Sequence, residues 1–287
     1  MRELAVVSGK GGTGKTSVAS SLAVISGKAI IADCDVDTPN LHLVLAPSLV
    51  DSKPFIAGFT ASIDKKACTD CSMCLQCCRF DAVDNSFSID PLRCEGCGLC
   101  ARLCPQHAIT MEPKHCGTIM VSETRAGRMV HAKLLPASEN SGKLVSDVRR
   151  RAGLEADADE IPLVIIDGAP GIGCPVNATI TGCDYVLMVA EPSVSGIHDL
   201  IRLASLVNHF SIPAFLCVNR WDIHPEYTDT LEQEAERLSI HPAGRIRYDP
   251  GITHAHMAMR TIAEYDIPAA ADVHALFANL QTYGVLP

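Results

Sequence analysis

The 287-residue sequence predicts an α/β fold: a mainly parallel sheet flanked by helices, interrupted by a small α+β insert. Three observations predict it. The chain opens as strand, glycine-rich turn, helix and second strand. Apolar runs of strand length alternate with amphipathic stretches through its second half. Ten of its 14 cysteines crowd between Cys68 and Cys116. Hydrophobic residues make up 47% of the chain and charged residues 20%, which rules out global disorder. Aromatics are only 5%, so the core is built from Ala, Val, Ile and Leu, as buried parallel sheets are. A formal charge of −9 argues against a nucleic-acid partner.

Taken in order, residues 4–7 read as a buried strand, residues 17–25 as a helix closed by Gly27, and residues 29–32 as a second strand. That is a βαβ unit, which requires a parallel sheet. Residues 60–112 are Cys-rich, with strand-like pieces at 86–89 and 108–111. The two halves of this stretch resemble each other, one Cys-rich run leading to Phe80-Asp81-Ala82-Val83 and the other to Gln106-His107-Ala108-Ile109. An internal duplication accounts for this. Strands at 163–166, 185–190 and 214–218 follow, with helices at 197–210 and 228–238. The expected organisation is a discontinuous α/β domain, 1–58 and 114–287, with 60–112 inserted.

Gly9-Lys10-Gly11-Gly12-Thr13-Gly14-Lys15-Thr16 fits the P-loop pattern, in the required place between strand and helix. Glycines let successive backbone N–H groups turn inward around phosphate oxygens, and the helix N-terminus adds its positive dipole. Lys15 is positioned to reach the β- and γ-phosphates, and the Thr16 hydroxyl to ligate Mg²⁺. Lys10 is a second lysine that cradling phosphate does not explain. With it, the loop resembles that of the P-loop ATPases that include MinD, ParA, Mrp and the nitrogenase iron protein. The resemblance implies ATP as ligand, bound by Gly9 to Thr16 and Ser17. It also implies that Lys10 reaches across a nucleotide-sandwich dimer, formed with a second copy or a related ATPase, to the partner's phosphates.

The second strand runs into Asp33-Cys34-Asp35-Val36-Asp37, and carboxylates at that end of a parallel strand face the ligand crevice. By resemblance this is switch I, with Asp35 acting on the attacking water; Asp33 is a further Mg²⁺ candidate, and Asp37 could hydrogen-bond the loop. The strand at 163–166 ends in Asp167, the Walker B arrangement for holding Mg²⁺ through water. The following Gly168-Ala169-Pro170-Gly171 resembles the family's switch II. Asn219 stands where the family's adenine-reading Asn lies. The implied catalytic residues are Lys10, Lys15 and Asp35.

Cys94, Cys97, Cys100 and Cys104, followed by Pro105, form the bacterial ferredoxin run, and Cys68, Cys71, Cys74 and Cys78 repeat its spacing. Two such runs are not the paired Cys-x-x-Cys of a zinc ribbon. Resemblance to two-cluster ferredoxins, where the fourth Cys serves the other cluster, implies two [4Fe-4S] groups. One would be held by Cys68, Cys71, Cys74 and Cys104, the other by Cys94, Cys97, Cys100 and Cys78. Cys77 stands beside Cys78, and spacing alone selects the latter. Cys116 and Cys174 read as buried core thiols. Resemblance to the nitrogenase iron protein sets against this a third cluster, shared between subunits through Cys174.

Residues 122–152 resemble a segment of MinD-like ATPases that carry an inserted ferredoxin. They include Glu139-Asn140-Ser141-Gly142-Lys143 and the triplet Arg149-Arg150-Arg151, read as a solvated helix face. His254 and His256 read as surface residues. With no charged leader before an apolar stretch, and no apolar run near the roughly 18 residues that cross a bilayer, a cytoplasmic location is expected. No Lys or Arg follows Arg260, so no basic C-terminal helix for direct membrane binding is expected. Resemblance implies ATP hydrolysis joined to electron transfer with an unidentified redox partner protein, to redox sensing by a spatial regulator, or to iron–sulfur delivery.

Overall fold

The computed structural model describes residues 1–136, 138 and 141–287. Its first strand, β1 (Arg2–Ser8), buries its last five residues, as a strand covered on both faces must. The chain turns through the glycine loop into α1 (Lys15–Ser26), which ends on Gly27 in the left-handed conformation. It returns as β2 (Ile30–Asp33), buried throughout. A short α2 (Leu41–Leu45) follows, then β3 (Ser48–Ile63), the small helices α3 (Met73–Cys77) and α4 (Leu99–Leu103), and β4 (Ile109–Thr124) with β5 (Gly127–Leu134). The remainder alternates: α5 (Ser141–Ala158), β6 (Leu163–Pro170), α6 (Cys174–Ile180), β7 (Tyr185–Ala190), α7 (Val194–His209), β8 (Ala214–Asn219), α8 (Pro225–Arg237), β9 (His241–Ile246), α9 (Gly251–Met257) and α10 (Pro268–Thr282).

Among the described residues nine strands form one sheet in the order β3-β4-β5-β2-β6-β1-β7-β8-β9. From β5 to β9 every neighbouring pair is parallel. The connection from β1 passes over β6 to reach β2, whereas β7 and β8 lie on the other side of β1. The order therefore reverses at β1, and the crevice at its C-terminal end is where an open α/β sheet binds ligands.

The chain divides into two compact units. The first comprises Met1–Lys53, Ile119–Lys133 and Ser141–Pro287, and holds the large apolar core shared by β1, β2, β6, α1 and α10. The second comprises Pro54–Thr118 and Leu134–Asn140. Its core is a cluster of six buried residues, among them Cys74 and Cys94. The division at 53/54 falls within β3, and the one at 118/119 within β4.

The expected strand-like piece at 86–89 makes only a bridge between Val83 and Ile89. The Asp84 carboxylate folds that stretch into a turn, accepting the Ser86 N–H and hydroxyl at 2.9 and 2.7 Å and the Ser88 N–H at 2.9 Å. The arginine triplet is not a solvated face. Arg149 is largely covered, its side chain 12% exposed, and fastens the end of α6, donating to the carbonyls of Ala178 (2.9 Å) and Thr181 (2.6 Å) while pairing with Glu3. Arg151 pairs with Glu155 at 2.6 Å and Asp51 at 3.0 Å, and only Arg150 is exposed to water. Glu139 and Asn140 lie outside the described residues; Ser141, Gly142 and Lys143 begin α5. No described helix is long and apolar enough to cross a membrane.

Candidate functional site

In the first unit the glycine loop leaves β1 at the point of strand reversal. Gly12 (φ 83°) and Gly14 (φ 89°) adopt the left-handed backbone that turns consecutive N–H groups one way. A Cβ on Gly14 would collide with the Asn219 amide nitrogen. That amide donates to the Thr13 carbonyl at 2.8 Å, and its oxygen accepts the Arg220 N–H at 3.1 Å. Asn219 thus braces the loop from the end of β8. One amide hydrogen and one oxygen lone pair are left for a base edge.

Lys15 enters α1 with only 5% of its surface exposed. Its ammonium pairs with Asp167 at 2.5 Å and lies 4.0 Å from Asp35. The Thr16 hydroxyl donates to the other Asp167 oxygen at 2.7 Å. Burial works against the charged Lys15, but Asp167, with Asp35 and Asp33, outweighs it and raises the pKa. Asp33, 1% exposed, is pushed well above the carboxylate range by burial and by Asp167, against the pull of Lys15. One of its oxygens accepts the Asp35 N–H at 3.2 Å; the other is buried without a hydrogen-bond partner. Asp35 is raised by burial, although Lys15 and the Thr38 hydroxyl, 3.0 Å away, hold it down.

Three carboxylates therefore surround a single ammonium. The surplus negative charge and the orphaned Asp33 oxygen fit a hydrated divalent cation beside Thr16. Lys10, by contrast, turns along its own chain. Its ammonium lies 3.4 Å from Glu191 and 3.3 Å from the Ser195 hydroxyl, and Glu191 also pairs with Arg220. Ser17 and residues 11–16 line a cleft of about 1840 Å³, its open mouth included. Asp35 and Asn219 line it too. Its far wall was not signalled by any sequence motif: Tyr248, Pro250, Ile252, Met257 and Met259, with Leu43 opposite. His256 belongs to this wall and is not a surface residue; its ring nitrogen Nε2 is buried without a partner among the described residues, and burial lowers its pKa. His254 is exposed.

In the second unit, adding 26 to a residue number carries one cysteine run onto the other, from Cys68 to Cys94 and from Cys78 to Cys104. The backbone repeats with it. Asp64 and Asp90 each accept through their carbonyl the N–H four residues on, both at 3.0 Å. Ser72 (φ 63°) and Gly98 (φ 72°) precede α3 and α4 in the same left-handed conformation. The Cys78 sulfur accepts the Ala82 N–H, and the Cys104 sulfur the Ala108 N–H, both at 3.4 Å. Cys77 has no counterpart in this repeat, and its thiol turns back to the Cys74 carbonyl at 3.5 Å.

Two hollows open between the halves. One, of about 340 Å³, is lined by Cys68, Cys71, Cys74 and Cys104. The other, of about 430 Å³, is lined by Cys94, Cys97, Cys100 and Cys78, with Cys77 also on its wall. Among the described residues no three His, Cys, Asp or Glu side chains converge to hold a single metal ion. In each hollow the thiols stand around a space, the arrangement that suits a group whose four iron atoms each take one thiolate. Cys116 is buried as expected, its thiol donating to the Ala57 carbonyl at 3.2 Å. Cys174 is not a core thiol; it is exposed at the first residue of α6.

Residues 4–262 match the family described as the CobQ/CobB/MinD/ParA nucleotide binding domain. An uncharacterized protein of Methanocaldococcus jannaschii, MJ0578, is 34% identical over 224 residues, which cover 76% of this chain and 78% of that one. The cell division ATPase MinD of Pyrococcus furiosus superposes with a TM-score of 0.60 at 17% identity, covering 98% of this chain and 99% of that one. The septum site-determining protein MinD of Pyrococcus horikoshii, solved with Mg-ADP, gives 0.60 at 15% identity, covering 99% and 97%. At such identities the likeness is one of fold.

Proposed function

Because the chain belongs to the CobQ/CobB/MinD/ParA nucleotide-binding family, we propose that it is a Mg²⁺-dependent ATPase whose second unit carries two [4Fe-4S] clusters, joining ATP turnover to electron transfer or redox sensing. The observation that carries the iron–sulfur part is the exchange of fourth thiols: Cys104 lines the first run's hollow and Cys78 the second's. Such groups supply one-electron chemistry. Spacing alone selected Cys78 over its neighbour Cys77, and the shared i+4 hydrogen bond also favours Cys78 as the ligand.

The ATPase part follows from the cleft. ATP's arrival gives Lys15 phosphate oxygens to bind in place of Asp167. Asp167 and Thr16 would then be free to hold Mg²⁺, with Asp33 as a further candidate, and the ion would neutralise phosphate charge when bound. Asp35, oriented by Thr38 at the cleft, is suited to position the attacking water. Lys10 would leave Glu191 for the phosphates of a second copy or a related ATPase.

Anaerobic purification with iron, acid-labile sulfide and ATPase assays tests this. We expect about eight irons and eight sulfides per chain, Mg²⁺-dependent phosphate release, and loss of that release in Lys15→Ala. Cys78→Ser should lose about half the iron while Cys77→Ser keeps it. A protein free of iron and sulfide after anaerobic reconstitution would overturn the cluster assignment and leave the ATPase assignment standing.

A further inference from the structure

The 26-residue repeat makes each half of the second unit a control for the other, and two of the charged positions at which it fails each touch a cysteine of one hollow. Asp70 lies in the first run, its carboxylate oxygen 3.5 Å from the Cys68 sulfur. Its counterpart is Gly96, at nearly the same backbone angle, φ 64° against 53°. A side chain is excluded there, because a Cβ on Gly96 would strike the backbone of Phe59. Lys114 breaks the repeat in the opposite sense. Its ammonium donates to the Cys94 carbonyl at 3.3 Å, and the position 26 residues earlier is the uncharged Ser88.

We propose that Asp70 and Lys114 make the two hollows electrostatically unequal, so that a single electron entering the loaded unit rests in the hollow of Cys94, Cys97, Cys100 and Cys78. This rests on the cluster assignment above. A reduced cluster carries one more negative charge than an oxidised one. A carboxylate beside Cys68 opposes that charge, and an ammonium beside Cys94 favours it.

The other groups at the hollows do not reverse the bias. Arg79 and Glu95 both line the second hollow and carry opposite charges, whereas no charged residue lines the first. The Cys94 sulfur also accepts the Ala61 N–H at 3.5 Å. An electron supplied by a low-potential one-electron reductant therefore passes downhill from the first hollow to the second, oxidising one cluster by one electron as it reduces the other.

An anaerobic EPR titration of the full chain with dithionite and mediators tests this, with iron and sulfide measured on the same sample. We expect two one-electron steps separated by at least a tenfold difference in occupancy, about 59 mV. Lys114→Gln should lower only the upper step, Lys114→Arg should restore it, and Asp70→Asn should raise only the lower step. A fully loaded protein whose steps coincide, or whose Lys114→Gln variant moves the lower step, overturns the inference and leaves the cluster assignment intact. A sample lacking the iron and sulfide fails the assignment first.

Discussion

Lys15 and Asp167 form a buried ion pair. Removing one partner strands the other charge in a poorly solvated place, at a cost of about 3–5 kcal/mol. Lys15→Met is therefore expected to lower the unfolding free energy of the nucleotide-free chain by about that amount in urea titration. The double variant Lys15→Met with Asp167→Leu should recover much of the loss while binding no ATP. A single variant as stable as the parent would show that water reaches the site freely. Both residues were legible in the sequence as members of motifs fixed by phosphate chemistry, but their pairing with each other was not. Arg149 was not legible either. Its partners are Glu3 and the end of α6, far from it along the chain, and an arginine in a basic triplet gives no local sign that its guanidinium will cap a helix.

At the scale of elements, the cleft wall depends on Arg125, in the turn between β4 and β5. Its guanidinium donates to the Val44 carbonyl of α2 at 2.9 Å, to Met259 at 3.0 Å, and to both oxygens of Glu264 at 2.6 and 2.7 Å. Glu264 also closes a capping box with Thr261. Burial raises the Glu264 carboxyl, but Arg125 and Thr261 overcome this and bring it down to about 2. A carboxylate depressed in the folded state stabilises the fold above its unfolded pKa, and that stability is lost as pH falls toward the folded value. The affected window lies between about 4.5 and 2. In Glu264→Gln, stability should therefore fall less steeply with acid across that window than in the parent, which chemical denaturation at stepped pH would measure; an unchanged slope would mean that Glu264 is not linked to folding. The strands β1, β2, β6, β7 and β8 and the helices α1, α7 and α8 could be read from the sequence because each buries a continuous or periodic apolar set. β3 could not, since most of its residues are exposed. The wall at 248–259 belongs to a turn and the short α9, with no repeating pattern to betray it.

For the whole molecule, the contrast is between two cores. The first unit encloses a large one, whereas the core cluster of the second is formed, among the described residues, by six buried residues, two of them cysteines. A unit with so small a core cluster is expected to gain stability from the clusters proposed for its thiols. Calorimetry of the anaerobically loaded chain should show the second unit's transition falling on treatment with an iron chelator and oxidant, while ATP binding by the first unit persists. A single transition unaffected by that treatment would show that the thiols contribute nothing to folding. The sequence revealed the duplication through its cysteine spacing; the inequality of its halves required the positions of Lys114 and Asp70 to be seen. The exchanged thiols have a mechanical consequence. Each hollow draws three cysteines from one half and one from the other, so whatever fills both ties the halves together by two crossed staples, like a clasp whose hooks close on one another. Neither half could be pulled away without breaking a ligand bond in each hollow.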